Sequence, residues 1–484
     1  MNNDIPLDMW EPVIGLEIHA QLNTKSKIFS SAPNRFGDEP NVNISAVCTG
    51  QPGALPVLNK EVVRKAVQFG LAIGADISRV STFDRKSYFY PDSPRNFQIT
   101  QFENPIVRGG QVSVDGKTFK LDRAHIEDDA GMLKHFSSFA GIDYNRAGSP
   151  LIEIISEPCI HSAKEAAQYA AAIRSILLYI DASDCNMEEG SFRMDANISV
   201  RPIGEKTLRP RIEIKNMNSF SFMEMAIEAE VERQVKLYLN HPHRNYIDLI
   251  PPGTYRWDVA QKTAILMRPK ESADDYRYFP EPDLAPVVLT DEYIDHLKNT
   301  LPELPFDRLQ RYVSDLGLTE YAATTLIQEK VLSDYFEEAL KVYNHPRLLC
   351  NWITIEFAGR FKDSGKTLLT IGIPAEHVAK LVGMIDTGKI TGKIAKSVAD
   401  DMVAAPGVDP EEIVKKNPDY QPTTDISSIE PIVDQVLAEH PELINDIKAG
   451  KDKAFGFLVG SVMKLTRGKA SPQVVNDLIR KKIQ

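Results

Sequence analysis

The chain contains 484 residues, of which 43% are hydrophobic and 25% are charged, and its net charge is −11. So long a chain is expected to form two to four domains, and its composition excludes the disordered and fibrous classes. No apolar run approaches the ~18 residues of a membrane span, the N-terminus lacks the pattern of a signal peptide, and the negative charge disfavours a general nucleic-acid binder. We therefore expect a cytoplasmic protein without membrane association.

Residues 1–294 are predicted to be rich in β-strands, because short alternating runs are separated by Pro, Gly, Asn and Asp. Three helices interrupt these strands. Residues 60–75 have helical apolar spacing, residues 162–180 begin at a serine N-cap, and residues 221–240 form the third helix.

Four of the predicted strands carry charged side chains on one face and mainly apolar ones on the other. Side chains two residues apart along a strand point the same way. The resulting polar faces are Glu17, His19 and Gln21; His125, Glu127 and Asp129; Arg193, Asp195 and Asn197; and Arg211, Glu213 and Lys215. One such strand is typical of a half-solvated sheet. However, Asp and Asn are poor strand formers, and residues that break local propensity tend to mark functional sites.

These faces have the chemistry of a nucleoside triphosphate site. Several carboxylates with one or two imidazoles suit Mg²⁺, and interleaved Arg and Lys suit phosphate oxygens. A metal hydrolase with a bound water as nucleophile is the alternative at this point. Two loops rich in basic and aromatic residues, 83–105 and 272–283, fit the phosphate interpretation, although structured surface loops are equally expected there.

Beyond residue 282 the strand signals give way to helical patterns, and a second break falls at residues 404–412. The predicted fold class is α+β, with a β-rich domain over residues 1–294, an all-α domain over 295–408 and a small all-α tail over 409–484. Within the tail, residues 448–482 contain nine Lys or Arg against two Asp, a net charge of +7. Such a stretch either binds a polyanion or forms a solvated helical face.

Several long blocks resemble the signature segments of the B subunit of the aspartyl/glutamyl-tRNA amidotransferases, and they occur in the family's order. The blocks are VIGLEIHAQL, DRKSYFYPDSPRNFQITQ, HIEDDAG, GSPLIEIISEP, MEEGSFRMDANISV, IEIKNMNSF and DDYRYFPEPD, followed by PELP and GFLVGSVMK. The resemblance therefore covers nearly the whole chain, from residue 13 to the C-terminal region. So many long blocks are far more specific than one short motif.

The resemblance implies a reaction and its partners. In this family the B subunit uses ATP and Mg²⁺ to phosphorylate the side-chain carboxylate of a tRNA mischarged with Asp or Glu. Ammonia, which a glutaminase A subunit releases from glutamine, then displaces the phosphate. A small C subunit joins A and B into a heterotrimer, and the helical tail contacts the tRNA. We find no glutaminase signature in the sequence, which agrees with nitrogen supplied by another chain.

The resemblance also implies roles for single residues. Glu17 and His19 match the family's metal-binding strand. Glu127 and Asp128 match its paired acids, which serve both the metal and the mouth of the ammonia channel. Lys86 matches a lysine that lines this channel. Glu127, Asp128 and Lys86 are therefore predicted to be catalytic.

Further candidates come from the strands around this centre. Asp195, Glu213 and Asn216 match family residues around the metal and the nucleotide, and Asp195 is predicted to be catalytic. On charge alone, Arg193, Lys215 and Arg277 are added as phosphate-binding candidates.

The chain departs from the family in its first loop. Many members carry a four-cysteine zinc site there, whose positions correspond to Ser30, Ala32, Ser45 and Cys48. One thiolate cannot form a four-ligand zinc site, so we expect no zinc and a loop held by packing alone. A second departure is Asp128, because a glutamate is usual there, and the shorter side chain displaces a ligand or channel group by one methylene.

Two other functions stay open from the sequence. A non-catalytic tRNA-binding scaffold predicts that substitutions on the strand faces change binding but not ATP turnover. A stand-alone ATP-dependent carboxylate–amine ligase predicts full activity with free ammonia and without partner chains.

Overall fold

The structure, a computed structural model, describes residues 6–269, 273–362, 364–421, 423, 425–448, 452–466 and 468–483. The chain forms two compact units, residues 1–304 and residues 305–484. All strands of the described residues lie in the first unit, and the second is built from helices.

Seventeen strands are present among the described residues of the first unit. They are β1 (Trp10–Gln21), β2 (Asp76–Ile77), β3 (Val80–Ser81), β4 (Asp84–Ser87), β5 (Phe97–Thr100), β6 (Val107–Arg108), β7 (Gln111–Val114), β8 (Lys117–Asp128), β9 (Met132–His135), β10 (Ala140–Asp143), β11 (Pro150–Ser156), β12 (Phe192–Pro202), β13 (Ile212–Met217), β14 (Gly253–Asp258), β15 (Thr263–Pro269), β16 (Phe279–Pro280) and β17 (Val287–Val288).

The main sheet has the strand order β15-β14-β13-β12-β1-β11-β8-β6-β2, with β7 paired to β8. Its neighbours are antiparallel except β13 and β14. A small sheet, β16-β4-β5, lies in the same unit. The long central strands β1, β8, β11 and β12 position the site, because their pairing fixes which side chains lie opposite one another.

Helices cover the apolar face of the main sheet. The helices of the first unit are α1 (Lys60–Ala72), α2 (Ala163–Tyr179), α3 (Phe220–Asn240), α4 (Tyr246–Leu249), α5 (Ala273–Tyr276) and α6 (Asp291–Asn299), with a 3₁₀ turn at Leu7–Met9. Contacts of α1 with β8, α2 with β1 and α3 with β12 bury aliphatic side chains such as Leu16 and Ile18, which are fully buried. Serine side chains cap α2 and α3, as Ser162 accepts from Glu165 N–H and Ser219 from Phe222 N–H.

The second unit contains the remaining helices. They are α7 (Pro305–Ser314), α8 (Glu320–Ile327), α9 (Lys330–Val342), α10 (Pro346–Asn351), a π-helix (Trp352–Phe357), α11 (Ala358–Arg360), α12 (Leu368–Ile371), α13 (Ala375–Asp386), α14 (Gly392–Ala404), α15 (Pro410–Lys416), a 3₁₀ turn (Pro418–Tyr420), α16 (Ile426–Glu439), α17 (Pro441–Lys448), α18 (Asp452–Leu465) and α19 (Pro472–Ile483). Two hydrophobic clusters fill this unit, one between Tyr312 and Val414 and one between Ile429 and Ile483. Among the described residues, no helix combines the length and apolar character needed to cross a membrane.

This architecture confirms the predicted α+β class and the helices predicted at 60–75, 162–180 and 221–240. The division into three domains stays a prediction. The first compact unit extends to residue 304 because α6 packs against α1, and because Leu301 and Leu304 pack against the core of the first unit.

Candidate functional site

A row of polar side chains crosses four central strands of the main sheet. The register pairs His19 of β1 with Glu153 of β11 on one side and with Arg193 of β12 on the other, and it pairs Glu153 with His125 of β8. Directly paired residues share one face of a sheet. The row therefore brings two imidazoles, a guanidinium and a carboxylate together from four separate segments of sequence.

Four side chains around this row form what we call the histidine-containing group: His19, His125, Glu127 and Glu153. Metal-ligating atoms of His19, Glu127 and Glu153 lie within 4.8 Å of one another. His19 Nε2 is 3.7 Å from Glu153 Oε2 and 4.0 Å from Glu127 Oε1. His125 Nε2 lies 3.1 Å from Glu153 Oε2 and 3.6 Å from Glu127 Oε2. Both carboxylates are thus shared by two imidazoles.

Positive charge balances the carboxylates of this group. Burial disfavours the charged form of His125, but Glu153 and Glu127 outweigh burial and raise the pKa of His125 to about 9. Loss of water likewise opposes the charge on Lys86, yet Glu127 and the groups around it raise the pKa of this ammonium. Burial would raise the pKa of Glu153, but His125 and His19 hold it well below its ordinary value. At neutral pH, His125 and Lys86 therefore face two ionised carboxylates.

A second set, which we call the carboxylate group, consists of Glu17, Asp195 and Glu213. Oxygens of these three side chains also lie within 4.8 Å of one another. Glu17 of β1 is paired directly with Asp195 of β12, and Glu213 comes from β13, the next strand. Lys215 Nζ lies 2.5 Å from Asp195 Oδ2 and 3.6 Å from Glu213 Oε1.

Three carboxylates lie close together in the carboxylate group. Burial, and then repulsion from Glu153, Glu213 and Asp195, raise the pKa of Glu17. Lys215 balances part of this charge, since Asp195 and Glu213 raise the pKa of its ammonium despite desolvation. Within the described part of the chain, three carboxylates therefore lie around the ammonium of Lys215.

Hydrogen bonds orient two of these carboxylates. Asn197 Nδ2 donates to Glu17 Oε1 at 2.9 Å, and Thr254 Oγ1 donates to Glu213 Oε2 at 2.7 Å. Such partners behind ligand side chains are typical of metal sites. The oxygen donors of the carboxylate group suit a hard ion such as Mg²⁺, whereas the imidazoles of the histidine-containing group also suit less hard divalent ions. Both groups fit a divalent cation.

Asp128 points to a different set of partners from Glu127. Adjacent residues of a strand face opposite ways, and the Asp128 carboxylate accepts from Ile99 N–H at 2.8 Å and from the guanidinium of Arg95. Burial raises the pKa of Asp128 to about 6, although Arg95 and the Ile99 N–H favour its ionised form. Among the described residues Asp128 belongs to neither ligand set, and its hydrogen-bond partners differ from those of Glu127. A metal role for Asp128 stays a prediction.

Asp129 extends the polar row beyond the end of β8. Its Oδ2 lies 2.9 Å from Arg193 Nη2 and 3.5 Å from Arg146 Nε, and Gln21 Nε2 donates to it at 3.1 Å. Arg193, predicted to bind phosphate, is therefore anchored by a buried carboxylate at the edge of the site. Arg211 departs from the predicted face, because it precedes β13 and is exposed.

Members of both groups line one cavity of ≈ 390 Å³, a size suited to a small ligand: Glu17 and Glu213 from the carboxylate group, and His19, Glu127 and Glu153 from the histidine-containing group. Its walls carry several cations. The charged side chains lining it are Glu17, His19, Lys86, Asp92, Arg95, Glu127, Asp128, Asp129, Arg146, Glu153, Arg193, Glu213, Lys215 and Arg268. Acidic and basic side chains thus line one cavity, while their roles as metal ligands and phosphate-binding groups stay predictions.

Two predicted residues do not join these groups. Arg277 is exposed and has a backbone φ of 48°, and its guanidinium carbon lies 5.3 Å from the centre of the Phe89 ring. The side chain of Asn216 lies outside the described residues. Their nucleotide roles stay predictions.

The loop expected to lack zinc is held by hydrogen bonds as well as by packing. The hydroxyls of Ser30 and Ser45 lie 3.5 and 3.2 Å from Cys48 Sγ. Burial raises the pKa of the Cys48 thiol, but contacts with both serines and the ammonium of the buried Lys27 lower it overall. Lys27 Nζ also donates to Ala147 O at 2.5 Å. The expectation that packing alone holds this loop is therefore corrected, while the absence of zinc stays a prediction.

The strand patterns did not single out Glu153, although this residue contacts both imidazoles. A signal was available, because Glu153 is the one charged residue of the apolar strand Pro150–Ser156. His125 was placed on the correct face but was given no role. Thr254 carried no local signal, since only tertiary pairing brings it to Glu213. Arg95 lies in the basic loop 83–105, but only the fold shows that it contacts Asp128.

Similarity to known proteins extends over both units. Residues 12–295 match the family model described as the GatB/GatE catalytic domain, and residues 334–483 match the GatB domain. The chain is 63% identical over 478 residues to the B subunit of the aspartyl/glutamyl-tRNA(Asn/Gln) amidotransferase of Protochlamydia amoebophila, covering 98% of this chain and 97% of the relative. The protein of the same name from Chlamydia muridarum is 58% identical over 474 residues, covering 97% of each chain.

Proposed function

Because this chain belongs to the family of B subunits of the aspartyl/glutamyl-tRNA(Asn/Gln) amidotransferases, we propose that its polar sheet face activates a side-chain carboxylate. The substrate is the Asp or Glu residue of a mischarged aminoacyl-tRNA, ATP provides the phosphoryl group, and ammonia completes the amide. The observation that carries this proposal is one cavity lined by carboxylates of both ligand groups and by three cations, Lys86, Lys215 and Arg193.

The proposed chemistry has two steps. A carboxylate is a poor electrophile because it is anionic. One of its oxygens attacks the γ-phosphorus of ATP, the bond from this phosphorus to the β,γ-bridging oxygen breaks, and ADP leaves with the electron pair. Ammonia then attacks the acyl carbon, the bond from carbon to the phosphate oxygen breaks, and phosphate leaves while nitrogen loses a proton. The products are the side-chain amide, ADP and phosphate.

The residues of the site divide this work by charge. Glu17, Asp195 and Glu213 would hold Mg²⁺, which when bound neutralises charge on the transferring phosphate. Lys215 and Lys86 would face phosphoryl oxygens from the two sides of the row. Both steps move negative charge, so fixed cations in a partly enclosed cavity stabilise the transition state more than water does.

Glu127 is the proposed acceptor of the proton that nitrogen loses. Its carboxylate already accepts a hydrogen bond from Thr100 Oγ1 at 2.9 Å, and it contacts both imidazoles. A fixed carboxylate beside imidazole groups is suited to pass a proton onward. This role fits the family resemblance of Glu127 to an acid at the mouth of an ammonia channel.

The nitrogen is proposed to come from a separate glutaminase A subunit, with a small C subunit completing a heterotrimer. The names of the relatives support this, because a chain named as one lettered subunit belongs to a larger assembly. The enzyme is then an ATP-dependent carbon–nitrogen ligase with glutamine as amido donor. A cytoplasmic location is proposed as well, and it is supported by four free cysteines.

Reconstitution tests this function. The complex is incubated with glutamine, ATP, Mg²⁺ and each mischarged tRNA, and amidated aminoacyl-tRNA is measured beside free glutamate. We expect Glu127→Gln to keep glutaminase turnover and to lose amidation, whereas Glu232→Gln, an exposed change on α3, keeps both. Full amidation by Glu127→Gln would contradict the proton-acceptor role, and no amidation by the wild-type complex would contradict the proposed function itself.

A further inference from the structure

The loop between β4 and β5 displays aromatic rings that the proposed chemistry does not use. Phe89 is 66% exposed and Tyr90 is 50% exposed. Tyr88, which lies 6.1 Å from Tyr90 between ring centres, lines the cavity. Neighbouring exposed aromatic side chains beside a functional cavity are typical of a binding surface.

Hydrogen bonds and prolines hold this loop in place. Tyr144 Oη donates to Pro91 O at 2.9 Å, and Gly131 N–H donates to Asp92 O at 2.8 Å. The proline at position 91 also fixes its own φ angle. The exposed rings are therefore presented by an ordered loop, so little conformational entropy would be lost when a ligand binds to them.

A cation covers one side of Phe89. The Arg277 guanidinium carbon lies 5.3 Å from the centre of this ring. The residue before it, Tyr276, lines the cavity and lies under Lys86 Nζ at 4.6 Å. Phe89 comes directly after Tyr88 in the chain, and Arg277 comes directly after Tyr276. Since both tyrosines line the cavity, Phe89 and Arg277 lie at its rim.

Other rings nearby are already paired. Phe102 and Tyr278 stack on each other with ring centres 4.2 Å apart and an interplanar angle of 10°. The two rings of that pair cover each other, whereas the Phe89 ring contacts Arg277 on one side and is largely exposed to solvent. An aromatic ring backed by a cation is a platform on which a further flat group can stack.

We propose that Phe89 and Arg277 form a stacking platform for a base of the single-stranded 3′ end of the aminoacyl-tRNA. This inference rests on the proposed function, because the aminoacyl ester sits on the terminal ribose and must enter the cavity. The unpaired bases next to that ribose then pass the rim where Phe89 lies. Stacking on an aromatic ring accepts any base, and Arg277 adds attraction to the RNA.

The test compares Phe89→Ala with wild type in the reconstituted complex. We expect the KM for mischarged tRNA to rise about 5- to 100-fold, as loss of one base–aromatic stack predicts, while kcat and the KM for ATP stay within about twofold. Phe89→Trp restores the wild-type KM, because a larger ring stacks equally well. The matched control is Phe139→Ala, which removes a ring that is 62% exposed on the β9–β10 hairpin and leaves KM unchanged.

A binding measurement separates stacking from other roles. With 2-aminopurine in the unpaired 3′ end of the tRNA, binding to the wild-type complex quenches the fluorescence, and Phe89→Ala abolishes this quenching. An unchanged KM together with full quenching in Phe89→Ala would overturn the proposal, and so would a loss of complex assembly, which would assign the loop to a protein partner. In either case wild-type amidation still supports the proposed function, so the two failures are distinguishable.

Discussion

The histidine-containing group and the carboxylate group share one sheet face, yet their charge balance differs. In the first, His125 and Lys86 face the two carboxylates of Glu127 and Glu153. In the second, the ammonium of Lys215 faces three carboxylates. His125 and His19 lower the pKa of Glu153 despite its burial, whereas burial and then the neighbouring carboxylates, Glu153 among them, raise the pKa of Glu17.

This contrast separates two tasks within one cavity. A group with balancing cations of its own is stable without metal and is suited to position substrate and move protons. A group made only of carboxylates gains most from a divalent cation, because like charges at short distance are costly in a partly buried site. We therefore expect the carboxylate group to be the stronger Mg²⁺ site and the histidine-containing group to act mainly on kcat.

The largest expected effect comes from making one substitution in each group. Glu153→Gln should lower kcat for amidation about 100- to 1,000-fold, because it removes the carboxylate that both imidazoles share. Glu213→Gln should instead mainly raise the Mg²⁺ concentration that gives half-maximal activity. Steady-state kinetics over a Mg²⁺ titration distinguish a lower kcat from weaker Mg²⁺ binding. If both variants depended on Mg²⁺ in the same way, the two groups would not have separate tasks.

Lys215→Met tests, through the free energy of unfolding, whether the carboxylate group is the stronger cation site. The substitution removes the ammonium that lies beside the carboxylate group, and in EDTA we expect a loss of about 2–3 kcal/mol in the free energy of unfolding. Added Mg²⁺ should recover most of this loss by binding the native state. Thermal unfolding with and without Mg²⁺ measures the effect, with Lys236→Met on the exposed surface of α3 as control. A loss that Mg²⁺ does not reverse would count against a cation site there.

Asn197→Ala tests the orientation of Glu17. Removing the 2.9 Å hydrogen bond to Glu17 Oε1 should weaken Mg²⁺ binding about tenfold, which is the lower end for partners behind metal ligands. Calorimetric titration measures this affinity. Ser199→Ala, two residues along the same strand, should leave it unchanged, and equal affinity in all three proteins would remove Asn197 from the site.

The smallest effect is expected outside both groups, at the serine-lined loop. Cys48→Ser should change the free energy of unfolding by about 1 kcal/mol or less, since a hydroxyl can keep the contacts with Ser30 and Ser45. Metal analysis of the purified wild-type protein should find no zinc. Zinc near one ion per chain would refute the proposed metal-free loop.

Much of the site could be predicted from strands in which polar and apolar side chains alternate. The alternation in β1 and β12 placed Glu17, His19, Arg193 and Asp195 on one face, because the side-chain period of a strand is two. Alternation also predicts that Glu127 and Asp128 have different partners, although both side chains line the cavity. The structure follows the strand geometry at this point.

The remaining features depend on pairing that sequence does not encode locally. Glu153 joins the site because β11 lies between β1 and β8 in the sheet, and strand order is a property of the whole fold. Thr254 reaches Glu213 through the parallel pair of β13 with β14. The charge difference between the two groups follows from these neighbours, so the pattern of single strands could not reveal it.

Isotope transfer tests the central claim most directly. Mischarged tRNA carrying ¹⁸O at both oxygens of the side-chain carboxylate is amidated by the reconstituted complex with ATP, Mg²⁺ and glutamine, and the released phosphate is analysed by mass spectrometry. Activation by phosphorylation predicts one ¹⁸O atom in each phosphate, and loss of both phosphate and amide in Glu153→Gln. Phosphate without ¹⁸O, formed alongside normal amidation, would contradict the account.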